Sequence, residues 1–339
     1  GLIALEQKVL NGAASAFMGV LEARETVKLR ENNYSVIQEE LKATKDRYEV
    51  GEITRTDVAL AEARLASSLS SLSAAKGQLV QSEAVFKNAV GISPQALISP
   101  MEMLVLPTTV EEAVSIASSS HPELKQLQYQ IKASELTLQR IKASSKAKMT
   151  LNGDIGLSDS DVQSDTLQAS IGLSLSGTIY QGGSVSAKER QALANLQAVR
   201  SSLHVQMDAI EQSISSSFAM LAVAKASRAA IEKQIEAAEV AFNGVKQEAS
   251  LGARTTLDVL NTEQELLDAK SQLINAIYNE YLAGFDVLSA SGLLTVEHLN
   301  LPVARYNPED YYKSIVNNQD KGSERFNAIK NLLQELNKN

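Results

Sequence analysis

The chain repeats itself at a constant spacing of 201 residues, the step from Gly51 to Gly252. Gly51-Glu52-Ile53-Thr54-Arg55-Thr56-Asp57-Val58 returns as Gly252-Ala253-Arg254-Thr255-Thr256-Leu257-Asp258-Val259, and Phe17 and Gly91 return as Phe218 and Gly292. The spacing holds across the whole stretch without insertion or deletion. Two copies of one long unit constrain the fold before any side chain is read as chemistry, because each copy must build the same elements in the same order.

The period inside each copy identifies those elements. Residues 2–50 contain no proline, and Val20, Val27, Tyr34, Leu41 and Tyr48 recur every seventh position, which predicts a long helix wound against neighbours. Gly51 is placed to end it in a left-handed cap. Residues 57–90 predict a second helix, with Val58, Leu65, Leu72, Leu79 and Phe86 on a seam shared with Ala61, Ser68, Ala75, Ser82 and Ala89. A strict seven-residue period of large and small residues implies close helix approach and a left-handed supercoil. The second copy keeps the seam through Val259, Leu266, Leu273 and Val287 beside Thr262, Ala269, Ala276, Ala283 and Ala290; Glu280 alone breaks it.

Between the copies, Pro94, Pro100 and Pro107 mark a break, and a shorter helix over 110–147 is interrupted at His121-Pro122. The period then changes to two. Leu167, Ala169, Ile171, Leu173, Leu175 and Ile179 alternate with polar or small residues through Tyr180, after a weaker strand Thr150–Leu157 and a polar turn Ser158–Asp165. Such a hairpin is long enough to cross a bilayer with one face to lipid, although an ordinary soluble hairpin on a sheet is the commoner origin of such a pattern. After Gly182-Gly183 a proline-free pattern runs to Gly252, a helix of roughly 100 Å at about 1.5 Å per residue. The reading is therefore mainly α with one β-hairpin. It divides into a partial first repeat (1–107), a second repeat (108–300) and a polar tail (301–339) with an amphipathic stretch Phe326–Leu336. If the second copy begins near Val110, the first lacks roughly its first 90 residues, hairpin included.

Composition narrows the function. A net charge of −8 without a basic stripe argues against a nucleic-acid partner. The absence of cysteine removes disulfides and thiolate chemistry, and no apolar run of roughly 18 residues marks a membrane helix. His121, His204 and His298 sit in no metal-ligand spacing, and the sequence has no phosphate loop or nucleophile elbow. No catalytic residue, metal or cofactor is expected. Asp57 and Asp258 stand at helix starts, with Thr54, Thr56, Thr255 or Thr256 as candidate caps.

Four pieces in order carry a family resemblance: His121-Pro122-Glu123-Leu124, Ile179-Tyr180-Gln181-Gly182-Gly183, and the two tip segments running from Tyr48 and from Gly252. Over about residues 2–300 the chain resembles the TolC outer-membrane channel proteins, the exit ducts of drug efflux pumps and type I secretion. The resemblance implies long antiparallel coiled-coil helices forming an α-barrel tunnel through the periplasm. It also implies strands contributing to a shared outer-membrane β-barrel in a homotrimer. The expected partners are a periplasmic adaptor (membrane fusion) protein, an inner-membrane pump or ABC transporter, and outer-membrane lipid. Thr178 stands where the family commonly has proline, and with one hairpin per chain three copies would supply half the usual strands.

By the same resemblance Gly51 and Gly252 lie at the periplasmic tips, where polar links between helix pairs hold the duct closed. Arg254 would donate to Thr56 and Asp57, a guanidinium fork being suited to two acceptors. Asp258 would form a single carboxylate ring in the pore, with Asn261 where the family prototype has a second acid, and Ala249 where that prototype has a gating tyrosine. The competing expectation is a periplasmic adaptor-like or other structural coiled coil, which would share the helix pairs but not the duplicated pattern around an alternating hairpin.

Overall fold

The computed structural model describes residues 1–98, 104–160, 163–177, 179–303 and 308–319. Helices α1 (Leu2–Glu49) and α2 (Arg55–Val90) are joined by a short turn, as are α5 (Ser184–Ser250) and α6 (Thr256–Ala290); between the pairs come α3 (Val110–Ser120), α4 (Pro122–Ala143), β1 (Lys148–Ser160) and β2 (Gln163–Ser176). Residues Gly1–Thr295 pack as one unit and Val296–Asn339 as another, the latter containing α7 (Pro308–Gln319). The stretch Phe326–Leu336 lies outside the described residues.

The 201-residue step survives in the backbone. Gly51 and Gly252 take φ of 80° and 77°, and Gly91 and Gly292 take 86° and 76°, left-handed values that glycine adopts without steric cost. Thr54 and Thr255 are the caps of α2 and α6, each in a reciprocal box with Asp57 or Asp258. Thr56 and Thr256 instead fall inside the first turns. His121-Pro122 splits α3 from α4 because proline fits a first helical turn and His121 Nδ1 accepts from the Glu123 amide at 3.3 Å. Helix α4 ends at Ala143, short of the expected 147.

Each long pair is antiparallel. Lys45–Glu62 (2.8 Å), Lys76–Glu31 (2.9 Å) and Arg24–Glu83 (3.4 Å) rung α1 to α2, over a core of Ala16, Val20 and Phe86. Lys270–Glu239 (2.8 Å) and Arg228–Glu280 (3.1 Å) do the same for α5 and α6 above Leu221, Ala283 and Val287. The seam residue Glu280 is therefore a buried ion-pair partner of Arg228. The two pairs meet where α1 lies on α6, with Met18 and Leu21 against Tyr278. Helices α3 and α4 pack on α5 through Ala113, Ala117, Leu124, Ile210 and Ile214.

The hairpin corrects two expectations. The ladder runs from Lys148↔Ser176 to Ser158↔Thr166 and Ser160↔Gln163, so both strands extend into the stretch expected as the turn Ser158–Asp165. At the other end the strand stops at Ser176, and Ile179 and Tyr180 are outside it. Lys148 is the first residue of β1, and Ala147, which lies beside Gly177, already belongs to the connection that follows α4, so the ladder ends there. Within the paired residues the alternation is realised. Met149↔Leu175, Leu151↔Leu173, Gly153↔Ile171 and Ile155↔Ala169 share one face, and Lys148↔Ser176, Thr150↔Ser174 and Asp154↔Ser170 lie on the other.

Candidate functional site

The two tips are built by the same local chemistry. At the first, the Gly51 amide donates to Tyr48 O (3.0 Å) and Glu52 to Arg47 O (3.0 Å); at the second, Gly252 donates to Ala249 O (3.1 Å) and Ala253 to Glu248 O (2.9 Å). These bonds satisfy the last carbonyls of α1 and α5, and the left-handed glycine turns the chain back. Thr54 N and Oγ1 then donate to Asp57 Oδ2 at 2.9 and 2.7 Å, and Thr255 N and Oγ1 donate to Asp258 Oδ2 at 3.0 and 2.8 Å. The Thr54 hydroxyl and then its amide hold the Asp57 carboxyl below the usual range. For Asp258 the Thr255 amide leads, followed by its hydroxyl, with Arg254 adding to the same direction.

The expected gate residues lie within these turns. Arg254 is exposed, and its Nε donates to Glu248 Oε2 at 2.8 Å, which raises the guanidinium further above its ordinary value. Within the protomer no ion pair joins Arg254 to Asp57 among the described residues. Thr56 is exposed, Asn261 is exposed one turn beyond Asp258, and Ala249 is buried at the end of α5. In both capping aspartates the recorded side-chain bonds use Oδ2, leaving Oδ1 for another donor.

The links that do join the pairs come from residues the sequence pattern did not single out. Arg47 Nη2 donates to Ala249 O across the tips (3.4 Å), while its Nε is held by Glu52 (3.2 Å). Arg64 of α2 reaches Gln264 Oε1 and Leu260 O of α6, each at 3.4 Å. Asn33 Nδ2 of α1 donates to Glu263 Oε1 at 3.3 Å. Glu263 is 7% exposed, and burial, with Glu40 adding to it, pushes its carboxyl up to about 7. The duplication held one clue. Lys45 and Glu62 recur at the same step as Lys246 and Glu263, yet only the first pair forms a salt bridge.

No group of three or more His, Asp or Glu side chains among the described residues is arranged to hold a metal. His121 is buried, and desolvation holds its imidazole below the ordinary value. No helix among the described residues is long and apolar enough to cross a membrane. The hairpin presents a different surface: Met149, Leu151, Ile155, Leu167, Ile171, Leu173 and Leu175 are all exposed, Ile171 at 85%.

Comparison with known proteins places this architecture. The family model for outer membrane efflux proteins matches residues 4–91 and 113–290. The chain is 36% identical over 319 residues to the outer membrane efflux protein BepC of Brucella suis, covering 91% of this chain and 69% of that protein. It is 24% identical to the outer membrane protein TolC of Escherichia coli over 311 residues, covering 87% of this chain and 63% of TolC. The chain thus spans about two thirds of the length of these relatives. The Campylobacter jejuni CmeC outer membrane channel superposes with a TM-score of 0.75 at 15% identity, over 86% of this chain and 64% of that one.

Proposed function

The chain belongs to the outer membrane efflux protein family and is a TolC-type protein of the outer membrane, reaching into the periplasm; from that premise we propose that it is the exit duct of a tripartite drug efflux pump or type I secretion system. The observation that carries this reading is the hairpin, whose paired apolar residues form one continuous exposed face. A two-stranded ribbon that exposes this much apolar surface is not stable in water by itself. Strands of 13 and 14 residues exceed the roughly 9 to 11 needed to cross a bilayer at a tilt. The family relationship decides against the adaptor-like or purely structural coiled coil.

The conduit is passive and non-enzymatic, and its energy comes from an inner-membrane pump or ABC transporter joined through a periplasmic adaptor. The duplication supports a homotrimer. Inside one protomer α1 lies on α6; displaced by one repeat, the same contact becomes α5 on α2 of the next copy. The residues at that second contact suit close approach: Ala219 and Ala222 take the places of Met18 and Leu21, and Gly77 and Ala84 those of Tyr278 and Phe285. Val80, Val85, Met220 and Val223 stand exposed around it.

At the tips, Arg254 of one protomer bonds Thr56 and the uncommitted Oδ1 of Asp57 in its neighbour, while Asp258, followed by Asn261, lines the pore as one carboxylate ring. Such exposed links are individually weak, so their threefold repetition sets the closed population. Conductance in planar bilayers tests both levels. In a form that carries a hairpin in both repeats, the protein is expected to form long-lived pores that Arg254→Ala opens to a higher single-channel conductance. Absence of pores would overturn the duct, and an unchanged closed conductance would overturn the Arg254 link.

A further inference from the structure

Helices α1, α2 and α6 line a cavity of about 190 Å³, roughly two to six turns above the tips, with Arg30, Asn33, Arg64, Ser67, Ser68 and Glu263 in its wall among others. Glu263 is the one acid of this wall, and it sits in the seam that joins the two helix pairs. Its repeat-mate Glu62 is exposed and neutralised at 2.8 Å by Lys45. The mate of that lysine, Lys246, is exposed and stands over the Phe242 ring at 5.7 Å, so Glu263 has no ion pair among the described residues. Its one direct bond crosses the seam, from Asn33 Nδ2.

We propose that Glu263 is a proton-binding site that sets how tightly the α5–α6 pair holds to the α1–α2 pair, the seam being firm when the carboxyl is protonated and looser when it is ionised. The charged groups facing it come from every helix packed on α6. Arg30 and Glu40 stand on α1, Arg64 on α2 and Lys246 on α5. Glu40 opposes ionisation; Arg64 and Lys246 favour it without contacting the carboxyl, and the Asn33 amide, donating to Oε1, adds in the same direction. An ionised carboxylate in this wall has the Asn33 hydrogen bond but no ion-pair partner among the described residues, and is relieved by hydrating the cavity, which parts α6 from α1.

The direction follows from linkage. The closed seam holds its proton up to about pH 7, whereas a solvated Glu263 releases it near 4.5. The closed seam is therefore most stable below the lower value, loses stability through this window, and gains nothing further above it. This inference concerns the protomer and stands whether or not the trimer conducts.

Native cysteines are absent, so nitroxide labels at exposed positions 38 and 272, introduced as Gln38→Cys and Gln272→Cys, report only the α1–α6 separation. Pulsed distance measurements from about pH 5 to about pH 8 should show the ratio of the longer-separation to the shorter-separation population growing by up to about tenfold per pH unit, levelling near pH 7. Glu263→Gln should abolish the response and keep the short distance, while Glu62→Gln should leave it unchanged. Arg64→Gln should move the midpoint to higher pH and Glu40→Gln to lower pH, which keeps the test decisive should Glu263→Gln fold poorly. A pH-independent wild type, a response surviving in Glu263→Gln, or midpoints unmoved in both charge variants would overturn the proposal.

Discussion

Helices α2 and α6 occupy the same place in the two repeats, share a capping box and a seven-residue seam, and are buried to very different extents. Thirteen residues of α6 are buried against four of α2. Helix α6 is covered by α5 on one side and by α1 on another, whereas α2 has extensive packing only on α1. Leu69, Val80 and Val85 of α2 consequently remain exposed. Equal local patterns thus produced equal helices and unequal environments, and side chains diverged with the environment. Where α1 and α2 carry Val27 and Leu79, α5 and α6 carry the paired Arg228 and Glu280; where Glu62 sits in water on a lysine, Glu263 sits in a wall.

The sharpest way to break this comparison is to exchange the polar pair for its apolar counterpart. Arg228→Val alone leaves Glu280, whose side chain is 8% exposed, without its partner, and should cost about 3 kcal/mol in denaturant unfolding. Arg228→Val with Glu280→Leu copies the first repeat, and should recover most of that loss. If the double variant is as unstable as the single one, the two seams are not interchangeable.

A smaller effect is expected at the glycines that close α2 and α6. A Cβ at Gly292 would lie 3.0 Å from the His121 ring and 3.1 Å from its Cα, while at Gly91 nothing lies within 4 Å. Gly91→Ala should cost about 1 kcal/mol, the penalty of the left-handed backbone, and Gly292→Ala about 1 kcal/mol more for displacing His121. Thermal midpoints of the two variants measure the difference; equal losses would mean that the His121 contact yields freely.

The smallest difference should be at the caps. Thr54→Ala and Thr255→Ala should each cost about 1 kcal/mol, alike in both copies. Because Asp57 and Asp258 are held below the ordinary aspartate value, their contribution is present above 3.8 and is lost as pH falls through the lower folded value. Acid titrations of the two variants should therefore lose the same low-pH step. Unequal steps would show that one aspartate already serves a partner beyond its own turn.

Much of the fold was legible because it is local. Gly51 and Gly252, Thr54 and Thr255, and the split at His121-Pro122 depend on bonds and steric limits reaching no further than five residues, and they lie where the letters put them. Strand ends were less legible, since Ile179 and Tyr180 continue the alternation beyond the last rung of the ladder, Lys148↔Ser176. Arg47, Arg64 and Asn33 were illegible for a related reason. Each looks like a solvated polar residue on a long helix until a second helix pair is laid against it.

The amino-acid order by itself determined two repeats, paired long helices with glycine tips, and a hairpin with one apolar face, because periodicity and capping act within a few turns of chain. Tertiary structure alone decided which of two equivalent helices would be enclosed, and therefore which of two glutamates would be buried. Burial depends on what arrives from outside the segment: within the protomer α1 lies on α6 while α2 keeps an open face, and the large Tyr278 and Phe285 of α6, which stand where α2 has Gly77 and Ala84, are buried in a contact only because α1 is laid on them.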